Sequence, residues 1–294
     1  MKKDKNVENW IDYWKSSKGF FDKTSDMEQA ESWNEKWDQM GTGKLKMKMD
    51  HKKHKRIEGI FDILNEAGFK MKGARILDIG SGPGAFSIPF AKAGAKVTAL
   101  DISSTALKRL QANAKKEGVS IETVESSWWS ADIDKLGLRN KFDLVFVTST
   151  PAIKDAECMN RMISCSKKYC YYSFFIRHTG HTPWHYEEVL EKIFKKGSFP
   201  NAPGKGSVFV NIFMYLYLLG YRPLIRVIHN RRNTEIAWEE AADAMIKFFE
   251  RTSSCPASTR KKIREYYKAS AQKGKYKEHL DGYTGMMVWK VNKQ

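Results

Sequence analysis

Residues 76–84, ILDIGSGPG, followed by Asp101 at the end of the next apolar run, constrain this chain more than any other feature. The order is apolar run, glycine turn, helix, apolar run, acid. Ile76, Leu77 and Ile79 read as a strand buried on both faces. Gly80, Gly82 and Gly84 let the backbone turn tightly and approach a ligand with no side chain in the way. A helix starting at that turn would aim its free N–H groups and positive dipole end at the ligand. The next strand, 96–103, carries Asp101 about 20 residues past the turn, where an acid bonds ribose hydroxyls in doubly wound folds. The pattern therefore predicts a crevice for a ribose-bearing ligand.

Two ligand classes fit the glycines. Gly80, Gly82 and Ala85 satisfy a relaxed dinucleotide fingerprint, which allows an NAD(P)-dependent oxidoreductase. Asp78, two residues before the first glycine, and the compact spacing of Gly80, Gly82 and Gly84 favour a ligand with an ammonium over one with a pyrophosphate. S-adenosylmethionine carries an ammonium, a sulfonium and a ribose, and its carboxylate can use loop N–H groups.

LDIGSGPG followed by VTALDIS resembles the first motif and the acidic motif of class I S-adenosylmethionine-dependent methyltransferases. The resemblance spans residues 55–230 as a fold. It implies that Asp78, Gly80, Ser81, Gly82 and Gly84 form the methionine-side loop, that Asp101 holds the ribose hydroxyls and that Ile102 packs on adenine. Where the family often has an acid after the third strand, this chain has VESSWWS, so Ser127 or Trp128 is expected at adenine. Thr148, at the end of the fourth strand, completes the expected cofactor set of Asp78, Gly80, Ser81, Gly82, Gly84, Asp101, Ile102, Ser127, Trp128 and Thr148.

The remainder reads as strands alternating with helices, which predicts a parallel sheet with right-handed crossovers. The expected fold class is α/β: a doubly wound, Rossmann-like, seven-stranded and mostly parallel sheet. It carries an N-terminal helical lid and a helical insertion before the last strand. The expected boundaries are 1–53 for the lid, 54–233 for the methyltransferase core, 234–281 for the insertion on the acceptor side and 282–294 for the final strand. Trp10 and Trp14, and Trp33 and Trp37, stand four apart, so each pair shares a helical face. Packing onto the core is the favoured reading of both pairs, with a lid over an acceptor pocket the other.

Catalysis of methyl transfer asks little of side chains, because the sulfonium is already an activated leaving group and the work is alignment and exclusion of water. No single catalytic residue is fixed; the candidates are His178, His181 and Thr148. His178, His181 and His185 fall in a loop expected after Ile176, where one would act as a general base near neutral pH. They lack carboxylate or thiol partners in sequence, so no metal is expected. Arg177 and Trp184 suit an anionic or planar acceptor. The stretch TSTPAI after the fourth strand is unlike the Asn-Pro-Pro-Tyr type used on nucleobase amines.

The formal charge of +17 is densest at 44–56 and 259–277. Such runs track a phosphate backbone in some proteins and form solvated helix faces in others, so nucleic acid is possible as a partner but not favoured. No apolar run reaches the ~20 residues of a membrane span. The four cysteines show no C-x-x-C pairing and read as reduced thiols, which suggests the cytoplasm. The expectation is thus a cytoplasmic S-adenosylmethionine-dependent methyltransferase acting on a small molecule, of unspecified oligomeric state. The alternatives are an RNA or protein methyltransferase, an NAD(P)-dependent oxidoreductase, and a cofactor-binding module without catalysis.

Overall fold

A strand whose side chains are buried on both sides needs cover on each face, and the strand at 75–79, buried from residue 76 to 79, is the first of several such runs. In the computed structural model, which describes residues 5–16, 26–41, 50–180, 193, 207–252 and 255–292, these runs lie at the centre of a seven-stranded sheet. The strands are β1 (Arg75–Ile79), β2 (Lys96–Asp101), β3 (Glu122–Glu125), β4 (Phe142–Thr148), β5 (Ser166–Gly180), β6 (Leu224–Ala237) and β7 (Lys275–Lys290), in the order β3-β2-β1-β4-β5-β7-β6. The first five run parallel, and β7 pairs antiparallel with both β5 and β6. The mostly parallel, Rossmann-like α/β expectation holds.

Alternation along the strands sends side chains to two cores. On one face Ile76, Leu144, Phe146 and Tyr171 meet α3 (Asp50–Glu66) and Phe90 of α4 (Ser87–Lys92). On the other, Leu77, Ile79, Val145, Val147 and Tyr172 meet α6 (Ala156–Cys165), α7 (Val208–Leu218) and Trp14 of α1 (Lys5–Ser16). α5 (Ser104–Lys116) and α6 are each capped as their sequences dictate. Ser103 Oγ accepts from Ala106 N–H, and Asp155 Oδ1 accepts from Cys158 N–H.

Three expected boundaries move. The helix after the glycine turn, expected from 85, begins only at Ser87 and lasts six residues, because turns occupy 82–86. β5 continues through Arg177 to Gly180, paired to 283–280 of β7, so His178 stands on a strand and not in a loop. β6 and β7 extend far beyond the expected 221–230 and 282–293. Residues 234–237 and 275–281, assigned to a helical insertion, are paired strand. Their alternation of Thr234, Ile236, Tyr276 and Glu278 suits a two-stranded ribbon as well as a helix. The ribbon carries α8 (Trp238–Thr252) and α9 (Ala257–Ala269), which enclose a third small core of Ala242, Met245, Ile263, Tyr267 and Tyr276. Among the described residues no helix is long and apolar enough to cross a membrane.

Candidate active site

β1 lies between β2 and β4, where the strand order reverses, and doubly wound sheets open a ligand crevice beyond the strand ends at that point. Such a crevice is present here. Gly80 and Gly82 from the turn, Leu100, Asp101 and Ile102 from the end of β2, and residues 126–129 and 149–152 line it. Gly80 sits at φ 69°, and a Cβ there would lie 2.4 Å from Thr150 Oγ1. Gly82 sits at φ 54°, and its Cβ would press on the Trp37 ring at 3.2 Å. Gly84 does not line the crevice; its missing side chain makes room for Leu110 and Ile88 instead.

Asp101 holds the turn as well as facing the crevice. Its Oδ2 accepts from Gly82 N–H at 2.8 Å and its Oδ1 from Ser103 N–H at 2.9 Å. Burial pushes this carboxyl up, and those N–H groups oppose the push. Each oxygen keeps a lone pair for a further donor. The N–H groups of Gly80 and Ser81 both donate to Leu100 C=O, at 2.7 and 3.2 Å. The loop N–H groups expected to meet a ligand carboxylate are therefore occupied within the protein, and the short α4 starts too late for its end to face the crevice.

Asp78 lies behind the turn, 2% exposed and outside the crevice lining. It accepts from Ser87 Oγ, and burial pushes its carboxyl up to about 7, with the Ser87 hydrogen bond lowering it and nearby Asp101 raising it. Ser81 Oγ is buried with no hydrogen-bond partner. A cationic group reaching this place would meet a buried carboxylate and an unsatisfied hydroxyl.

The N-terminal tryptophans divide their labour. Trp14 is buried against Tyr215, and Trp10 Nε1 donates to Asn211 C=O, so α1 docks on α7 as the packing reading has it. Trp33 and Trp37, on α2 (Asp26–Gly41), stack at 6.5 Å and with Gln29 line the crevice. Asn34 fixes this roof: its Oδ1 accepts from Ser103 Oγ and Thr105 N–H. The i,i+4 spacing signalled a shared face but not what that face covers.

Trp128 and Ser127 line the crevice as expected, and Thr148 does not. Trp128 is 3% exposed, and its indole N–H donates to Cys158 C=O, so that donor is spent in the core. Ser127 lines the crevice, its Oγ accepting from Trp129 N–H. Thr148 does not reach the crevice. Strand alternation turns it towards α3, where its hydroxyl accepts from Arg56 at 2.8 Å and is hydrogen-bonded to Ser173 Oγ. Its neighbour Ser149, at φ 52°, lines the crevice in its place. Sequence reading missed Gln29, Arg56, Trp129 and Ser149; only the polar hydroxyl run TST after β4 hinted at the last. Of the histidine candidates, His178 is placed by its backbone opposite Gly282, while His181, His185 and Trp184 lie outside the described residues.

Residues 76–168 match the family model of the methyltransferase domain. This segment is a methyltransferase domain. The match sets aside the oxidoreductase reading of the glycine pattern. Beyond the methyltransferase domain the curated likenesses are short. An uncharacterized protein of Mycobacterium tuberculosis is 40% identical over 78 residues, 26% of this chain and 27% of that protein. The chain thus spans about a quarter of the length of the first curated relatives it matches. The release factor glutamine methyltransferase of Agrobacterium fabrum is 30% identical over 102 residues, 33% of each. Among solved structures, a magnesium protoporphyrin IX methyltransferase from Synechocystis PCC 6803 with bound SAH is 18% identical. It superposes with a TM-score of 0.52 over 90% of this chain and 99% of its own, which shows the shared fold.

Proposed function

We propose that the protein transfers a methyl group from S-adenosylmethionine to a small-molecule acceptor by in-line displacement. The observation that carries this reading is the crevice at the β1/β2/β4 ends of a methyltransferase domain, bounded by Asp101 and covered by Trp33 and Trp37. Asp101 would accept from the ribose hydroxyls. Leu100, Ile102 and the tryptophan faces would sandwich adenine. Asp78 and Ser81 would receive the ammonium end. When bound, S-adenosylmethionine would supply a methyl group already activated by its sulfonium. The chain's own contribution is to align acceptor and methyl and to keep water out under the α2 roof.

The α8–α9 pair and the ribbon beneath it are proposed to shape the acceptor side, and the α2 roof to act as lid. Four free, buried cysteines agree with residence in the reducing cytoplasm. The second reading, a macromolecular acceptor, draws on the net charge of +17 and on the partial likeness to the release factor glutamine methyltransferase. Against it, part of the basic run at 259–277 is neutralised on the ribbon tip, with Arg260 paired to Glu250 and Arg264 to Asp243.

Calorimetric titration with S-adenosylhomocysteine, NADH and NADPH tests the cofactor. Micromolar binding of S-adenosylhomocysteine alone is expected; binding of a nicotinamide dinucleotide alone would refute the proposal. A salt titration of RNA binding separates the second reading, since phosphate contacts weaken steeply as salt rises.

A further inference from the structure

Arg56 is the most conspicuous charge at the rim that the scheme above leaves without a task. It projects from α3 to the carboxyl ends of β4 and β5. One of its terminal nitrogens donates to Thr148 Oγ1 at 2.8 Å and to Ser149 Oγ at 2.6 Å, and its guanidinium lies 5.0 Å from the Phe86 ring centre. A guanidinium has five N–H donors. Two are used in these bonds, and both go to neutral hydroxyls. Among the described residues no carboxylate forms an ion pair with it, although surface arginines elsewhere, such as Arg139, Arg226 and Arg264, each have one.

Its neighbours are donors too. Ser173 Oγ and Thr148 Oγ1 are hydrogen-bonded to each other. Tyr171 is fully buried beside this group, and its hydroxyl makes no hydrogen bond of good geometry. Burial raises the Tyr171 hydroxyl far above its usual range, so it stays a neutral O–H. Ser149 joins this cluster to the crevice: its hydroxyl accepts from Arg56, its own proton remains to donate, and the residue lines the cofactor crevice. A left-handed φ of 52° at a residue with a side chain is strained and persists where surroundings impose it. Here Ser149 N–H donating to Ser173 C=O fixes it, with the hydroxyl turned between arginine and crevice.

An incompletely used guanidinium and a serine hydroxyl at the crevice wall, backed by a buried phenol, form a donor-rich corner with no acidic partner among the described residues. We propose that Arg56 and Ser149 form an oxyanion subsite that docks a carboxylate or phosphate group of the methyl acceptor beside the cofactor. The inference rests on the methyltransferase reading and sharpens it: the acceptor is an anionic small molecule, oriented by its charged end so that its nucleophilic atom meets the methyl. Planar bidentate recognition of such groups is what arginine, and not lysine, provides.

The test uses the whole chain saturated with S-adenosylhomocysteine, and calorimetric titration with two matched pairs: benzoate against benzamide, and phenyl phosphate against phenol. The expected result is that one anion, or both, binds about tenfold or more tighter than its neutral partner, in line with a charge-assisted bond. The stronger anion names the group. Arg56→Met should abolish the preference and Arg56→Lys retain only part of it, while S-adenosylhomocysteine affinity stays within about twofold in both, since Arg56 itself does not line the crevice. Should Arg56→Met fail to fold, Ser149→Ala, which leaves the guanidinium in place, should still reduce the preference. Equal binding of anion and neutral partner, or a preference that survives Arg56→Met or the fallback Ser149→Ala, overturns the subsite. Failure of the wild-type chain to bind S-adenosylhomocysteine overturns the methyltransferase reading instead, and the inference with it.

Discussion

Replacing Asp78 by asparagine should move stability and cofactor binding in opposite directions. In the folded protein this carboxyl is pushed from its ordinary 3.8 up to about 7, chiefly by burial. The folded state therefore holds the proton more tightly than the unfolded chain. The resulting stability is fully present below about 3.8 and is lost as pH rises through about 7. At pH 8 the empty protein keeps a buried anion beside Asp101. Its cost is the difference between 3.8 and about 7 at ~1.36 kcal/mol per pH unit, or about 4 kcal/mol as an upper bound. The amide oxygen of an asparagine at this position can still accept from Ser87 Oγ, so the substitution removes the charge and keeps the hydrogen bond. Urea unfolding at pH 8 should show Asp78→Asn more stable than wild type by ~1–4 kcal/mol, and the gain should shrink on going to pH 5. S-adenosylhomocysteine, whose ammonium would offset that anion, should bind the variant about tenfold more weakly by calorimetry. A variant no more stable than wild type at pH 8, a gain independent of pH, or undiminished cofactor affinity would refute the reasoning.

Other expectations are simpler. Asp101→Ala should weaken S-adenosylhomocysteine binding by ~1–3 kcal/mol in calorimetry, and should also loosen the turn whose Gly82 N–H it accepts. Gly80→Ala should abolish cofactor binding measurably before it unfolds the chain, because the added carbon would displace Thr150 from the crevice wall. Trp37→Ala, tested by stopped-flow release of S-adenosylhomocysteine, should speed dissociation by opening the roof over Gly82. Gly285→Ala, remote from the crevice, should cost ~1–3 kcal/mol in denaturant unfolding, since its Cβ would meet Phe209 at 2.4 Å.

The sequence carried the central sheet well because its strands are buried on both faces and read as largely apolar runs: residues 76–79 and 97–100, each with one polar residue, and the wholly apolar 144–147 admit little else. Gly80, Gly82 and Asp101 were legible for a similar reason, since tight backbone turning and a terminal acid leave few alternatives. Asp78 was visible as a residue, but its withdrawal behind the turn was not; that depends on Ser87 being placed to meet it. Thr148 was expected at the crevice and Ser149 was missed because the strand alternates up to Thr148 and the left-handed residue after it breaks the alternation. Arg56 had no signal at all, lying in a basic run where nothing distinguishes it from its neighbours until α3 is laid across β4 and β5. The ribbon of β6 and β7 was hidden because a strand pair leaving the body of a sheet loses the two-sided burial that made the central strands readable.

The base of that ribbon tip is closed by a hydrogen bond from Trp238 N–H to Gly274 C=O, so the chain enters and leaves the α8–α9 unit at one point. The unit also keeps its apolar contacts largely to itself. A segment with adjoining ends and a private interior can be exchanged or enlarged with little disturbance to its host. The fold thus joins a sheet bearing the Gly80–Asp101 turn to a self-contained unit at the far end of the β6–β7 ribbon.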